Sequence, residues 1–145
     1  MRRTRFVVDA SIVAKWVLRG EPYLVNSVKL KDDYTSGRVE LSSLSLVVEE
    51  VANAFCRAVK QGRMAESDAK EALEALDDLG VELHDVSWSL VARVLSVACE
   101  LGLTIYDASY VVLAEEMKAT LVTADDTLYG RAGKRCSIQH IRDYQ

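Results

Sequence analysis

Apolar and polar positions along the chain fall into short blocks whose period switches between two and three to four. Residues 5–9 form a β-branched, apolar run with strand character, and Ile12, Val13, Trp16 and Val17 then recur at helical spacing over 11–18. Pro22 suits the first turn of a second helix running to about residue 34, closed near Gly37. A short strand follows at 39–41, then a helix over 45–61 capped near Ser45, and another over 64–79 that stops at Gly80. The pattern continues with a strand at 81–84, a helix over 88–101 behind Ser87, and a helix over 106–117 behind Thr104. A strand at 120–123, a short helix at 126–132 and a strand at 137–141 complete the reading. Strands that alternate with helices predict βαβ units, hence an α/β fold with a mostly parallel central sheet covered on both faces. The pattern leaves strand order open.

Composition narrows the class. The 145 residues suit one domain spanning 1–145, and 50% hydrophobic content with one Pro and seven Gly argues against disorder or a linker. Cys56, Cys99 and Cys136 are odd in number and widely spaced, which fits reduced thiols in the cytoplasm better than a disulfide framework. No apolar stretch reaches membrane-spanning length, and the basic start Met1-Arg2-Arg3 lacks the apolar core and cleavage site of a signal peptide, so no membrane partner is expected. A net charge of −4 counts against a polyanion partner, but four carboxylates neutralised by cations would cancel it.

Four segments set an acid beside an apolar run: Val8-Asp9, Glu49-Glu50-Val51, Tyr106-Asp107-Ala108 and Thr123-Ala124-Asp125-Asp126. Each acid has an ordinary structural reading. Asp9 and Asp125 suit helix N-caps, and Asp107 takes the third position of a capping box opened by Thr104. On the helix over 45–61, a turn of 100° per residue puts Glu50 at the margin of the apolar face and Glu49 nearer its opposite side; Asn53 and Arg57 share the Glu50 flank. A solvated glutamate is the commoner fate of such a residue. What favours a site is the joint placement, with three acids read at or just past strand ends, where open α/β sheets bind ligands, and the fourth flanking a buried helix.

Four converging carboxylates call for cations. An all-oxygen donor set suits Mg2+ or Mn2+, whereas zinc lacks ligands of the right spacing, since His84 and His140 pair neither with each other nor with the cysteines. No phosphate-binding glycine loop and no Ser or Cys triad is present, so the simplest chemistry is phosphodiester hydrolysis by metal-activated water. Ser11 and Thr123 are candidates to orient the acids, and Arg57 leads the basic residues that could position a nucleic acid, ahead of Arg19, Lys60, Arg63, Arg131, Lys134 and Arg135.

Val8-Asp9-Ala10-Ser11, Glu50-Val51-Ala52-Asn53-Ala54, Thr104-Ile105-Tyr106-Asp107-Ala108 and Leu121-Val122-Thr123-Ala124-Asp125 resemble, in order, the motifs of PIN-domain ribonucleases, in particular the VapC-like toxins of prokaryotic toxin–antitoxin pairs. The resemblance implies a three-layer α/β/α PIN fold and Mg2+- or Mn2+-dependent cleavage of RNA by Asp9, Glu50, Asp107 and Asp125. It also implies a homodimer and a VapB-like antitoxin partner. Glu49 and Asp126 stand as alternatives to their neighbours. The rival functions are a housekeeping PIN nuclease in RNA processing, a catalytically silent interaction module, and a receiver domain, which would need a phosphoacceptor where His84-Asp85 stands.

Overall fold

The computed structural model describes residues 2–145. Its strands are β1 (Thr4–Val8), β2 (Val39–Leu44), β3 (Glu82–His84), β4 (Thr120–Thr123) and β5 (Ile138–His140). The helices are α1 (Ala10–Lys15), α2 (Leu24–Thr35), α3 (Leu46–Lys60), α4 (Glu66–Leu79), α5 (Trp88–Leu101), α6 (Ile105–Met117) and α7 (Asp126–Ala132), with a 3-10 turn at Ile141–Asp143. The strands form one sheet in the order β3-β2-β1-β4-β5, and every neighbouring pair runs parallel.

The pleat of β1 explains the layers. Phe6 and Val8 point into one core with Ile12 of α1, Leu30 of α2, and Val51 and Phe55 of α3. Val7, between them, faces the opposite core with Val94 and Val97 of α5, Val111 of α6 and Leu128 of α7. β4 repeats the alternation, Val122 with the first core and Leu121 with the second. An α/β/α sandwich results, with β1 central and its apolar residues buried as an interior parallel strand requires.

The chain works outward from β1 through β2 to β3, then returns to the other side of β1 with β4 and β5. The reversal lies between β1 and β4, from whose carboxyl ends the chain departs toward opposite edges of the sheet, the place where such sheets hold ligands. Two boundaries differ from expectation. Tyr23 adopts a left-handed conformation, φ 62°, at the N-cap of α2, so Pro22 lies before the helix instead of in its first turn. β2 runs on to Leu44 because Ser42 and Ser43 are buried strand residues; the Ser43 hydroxyl donates to the Val8 carbonyl at 2.6 Å. A third correction concerns Asp107, which sits in the first turn of α6 after a helix, not past a strand. Ser87 and Thr104 do cap their helices, accepting from Leu90 N–H and Asp107 N–H, and Gly80 and Gly102 end α4 and α5 with positive φ.

Candidate active site

Asp9 leaves β1 in the N-cap position of α1, yet its side chain makes no capping bond there. Instead it is 5% exposed and takes hydroxyl donors from both sides of the switch point, Ser11 at 2.5 Å and Thr123, the last residue of β4, at 2.5 Å. The same two hydroxyls accept in turn, Ser11 from the Ala124 N–H at 2.9 Å and Thr123 from the Asp125 N–H at 3.0 Å. The loop leaving β4 is thereby tied to the start of α1. Asp125 keeps its ordinary role as well, since its Oδ1 accepts from Leu128 N–H at 2.9 Å and caps α7.

The other two acids arrive on helices. Glu50 lies on α3 and its Oε1 accepts from the Tyr110 hydroxyl at 2.6 Å. Tyr110 is three residues beyond Asp107 on α6, one turn along the same face. It is fully buried, and its place beside Glu50 was missed in the sequence because a buried aromatic reads as core; the spacing from Asp107 was the available signal.

The four acids sense one another. Burial pushes the Asp9 carboxyl up to about 6, the hydroxyls of Ser11 and Thr123 pull it partly back, and the charge of Asp107 raises it further. Asp107 is itself raised, first by burial and then by the charges of Asp125 and Glu50. Burial, followed by the bond to Glu50 and the charges of Glu50 and Asp9, holds the Tyr110 phenol neutral far above its usual range. No cation opposes these effects on Asp9 or Asp107. The neighbouring acids turn elsewhere. Glu49 is exposed, and Asp126, 84% exposed, meets His140 Nε2 at 3.0 Å and Arg142 Nη1 at 3.7 Å. Because His140 Nδ1 accepts from the Arg142 N–H, the assigned tautomer carries its proton on Nε2 and donates to Asp126.

Among the described residues, no three His, Cys, Asp or Glu side chains stand as a ready-made metal cage. Asp9, Glu50 and Asp125 are each held by a donor of the protein, as like charges without a counter-ion require. The donor set is nonetheless all oxygen, running from buried Asp9 through half-buried Glu50 and Asp107 to exposed Asp125, which is the chemistry a hard divalent ion takes.

Residues 6–134 match the PIN domain family, a span that includes all four acids. The chain belongs to the PIN-domain family. Among the curated relatives of this PIN domain is Ribonuclease VapC3 of Pyrobaculum aerophilum, 32% identical over 86% of this chain and 92% of its own. Ribonuclease VapC9 of Mycobacterium tuberculosis is 34% identical over 64% of this chain and 71% of its own. Of solved structures, PAE2754 from Pyrobaculum aerophilum superposes with a TM-score of 0.71 at 27% identity, covering 96% of this chain and 85% of that one. VapBC2 from Rickettsia felis, bound to a DNA fragment from its promoter, gives a TM-score of 0.67 at 16% identity, covering 94% of this chain and 98% of that one, and supports the fold alone.

Proposed function

We propose that this PIN domain, a single domain over 1–145, is an Mg2+- or Mn2+-dependent endoribonuclease, the toxin of a toxin–antitoxin pair. The observation that carries the reading is a buried aspartate, Asp9, gripped by the hydroxyls of Ser11 and Thr123 and facing Asp107, which in turn faces Asp125 and Glu50. The ribonuclease named among its relatives supports RNA as the substrate. Asp9, Glu50, Asp107 and Asp125 would hold the ion. Bound there, it would make a water acidic enough to attack a phosphodiester and counter the charge on the leaving oxygen. The protein's own part is placement. Ser11 and Thr123 fix both oxygens of Asp9, Tyr110 fixes Glu50, and the amide of Leu128 fixes Asp125.

The test is cleavage of a labelled RNA with Mn2+, with EDTA, and by Asp9→Asn and Asp107→Asn. Each change is expected to cost more than about a hundredfold, beyond the usual loss from outer-shell changes. Cleavage that survives chelation and both substitutions would overturn the reading.

A VapB-like antitoxin follows from the toxin reading, which the VapC ribonucleases among the relatives support. Growth arrest on expression, relieved by a neighbouring small gene, would bear on it directly. The homodimer is supported by the outer face of α5, where Trp88 is 94% exposed and Leu95, Ala92 and Cys99 continue an uncharged stripe. Leu95→Glu is expected to leave a monomer by sedimentation. A cytoplasmic location agrees with three free thiols, two of them exposed, and with the absence of any single helix among the described residues long and apolar enough to cross a membrane.

A further inference from the structure

Ser11 and Glu50 each belong to two walls. One side of each faces the acids; the other lines a cavity of about 380 Å³ between α1 and α3, whose remaining polar lining is Lys15, Glu21, Asn53, Arg57 and Arg63. Three cations sharing one small cavity is unusual in a chain of net charge −4. Their state is also unusual. Lys15 is only 6% exposed, and its single carboxylate neighbour, Glu21, stands at 3.5 Å, against 2.7 Å for the Lys29–Asp33 pair. Burying an ammonium with so loose a partner is costly unless an anion completes it. Arg57 lies two turns after Glu50 on α3, on the same flank, and pairs with no carboxylate among the described residues. Arg63, also in the lining, spends its Nε on the Gln61 amide oxygen at 2.9 Å and pairs with no carboxylate among the described residues.

A pocket that shares Ser11 and Glu50 with the acidic site, yet sets Lys15, Arg57 and Arg63 against two carboxylates, Glu21 and Glu50, adjoins a cation-seeking part with an anion-seeking one. Guanidinium groups suit phosphate because their planar donors match two oxygens at once, and a semi-buried ammonium adds a point charge. We propose that this cavity is a phosphate subsite, holding a backbone phosphate of the RNA strand next to the one being cut, with Lys15, Arg57 and Arg63 as positioning residues. The inference rests on the nuclease reading above. It divides the labour between the two parts: the acids act on the scissile phosphodiester, and the basic cavity sets which phosphodiester reaches them.

The test uses the full chain carrying Asp107→Asn, so that a fluorescein-labelled single-stranded RNA is bound and not cut, and anisotropy is followed against salt. Arg57→Gln is expected to weaken binding about tenfold and to lower the slope of log affinity against log salt by about 0.7, the share of one phosphate contact on a single strand. Arg57→Lys should restore the slope, and Arg5→Gln, at the opposite end of the sheet against Glu40, should leave it unchanged. Because Lys15 is buried, Lys15→Met is read only if its circular dichroism matches the parent, and the exposed Arg57 carries the test on its own. An unaltered affinity and slope in Arg57→Gln would overturn the subsite. So would loss of binding to a labelled oligoglutamate peptide with RNA binding intact, since that would assign the cavity to an acidic protein. If the nuclease reading itself fails, the parent chain without Asp107→Asn cuts no RNA in Mn2+, a result independent of the salt slope.

Discussion

Asp9 and Asp33 are the same residue type, equally buried at 5% exposure, and the fold treats them in opposite ways. Asp33, on α2, receives Lys29 at 2.7 Å, the Arg38 guanidinium at 2.8 Å and the Tyr144 hydroxyl at 2.6 Å, which together hold its carboxyl well below the usual carboxylate range. Asp9 is pushed up to about 6 by burial, and its donors, the hydroxyls of Ser11 and Thr123 and the Ile12 amide, are neutral and pull it only partly back, while Asp107 raises it further. Burial is therefore no guide to role by itself. A carboxylate surrounded by cations has its counter-charge built in and belongs to the scaffold, while one surrounded by hydroxyls and another acid lacks one, as the proposed metal site requires.

The contrast can be broken most forcefully at Asp33. Asp33→Asn is expected to cost about 3 kcal/mol by urea unfolding, the low end for a broken buried pair because the heads of Lys29 and Arg38 keep contact with water. Nearly as large, and opposite in sign, is the effect of metal on the parent: Mn2+ at a hundredfold excess over its dissociation constant should add about 2.7 kcal/mol, and nothing in Asp9→Asn. Without metal at pH 7, Asp9→Asn should stabilise by about 1–2 kcal/mol, because it removes a strained charge and keeps polar groups for Ser11 and Thr123. A fall in stability comparable to that of Asp33→Asn would erase the distinction.

Titration sharpens the same comparison. Asp9 has a folded pKa of about 6 against 3.8 in the unfolded chain, so the native state binds the extra proton between those values. Its contribution to stability is fully present below about pH 4 and is lost as pH rises through about 6. Asp33, lowered, works the other way: its contribution is present above about pH 4 and is lost as pH falls below that. Metal-free unfolding followed from pH 3 to 7 should show both limbs, with Asp9→Asn flattening the upper one and Asp33→Asn the lower. The smallest expected effect is Tyr110→Phe, which removes the donor to Glu50 and should change stability by about 1 kcal/mol while lowering cleavage about tenfold; a thermal melt and the RNA assay separate the two.

The scaffold was legible in the chain where local chemistry decides structure. Ser87, Thr104, Gly80 and Gly102 mark helix ends by hydrogen bonding and backbone freedom alone, and each does so in the fold. Ser42 and Ser43 hid the second half of β2 because their hydroxyls find partners only across the sheet, as Ser43 does at Val8. Strand order was not readable, since the pairing of β1 with both β2 and β4 is a tertiary choice. At the acids, each of Asp9, Glu50, Asp107 and Asp125 read singly as a cap or a margin, and only their joint placement and the motif resemblance pointed to a site. The fold distinguishes them, leaving Asp125 a cap in fact and Asp9 none. Asp33 escaped notice because Lys29 and Arg38 beside it read as ordinary surface charges, and its third partner, Tyr144, lies 111 residues away.

The bond from Thr123 to Asp9 spans 114 positions and joins the first strand to the fourth. During synthesis Asp9 leaves the ribosome early and must wait for nearly the whole chain before its hydroxyl partner appears, several seconds later at ordinary elongation rates of about 5–20 residues per second. On the proposed function, a chain truncated before β4 lacks both Thr123 and Asp125 and is expected to cut no RNA.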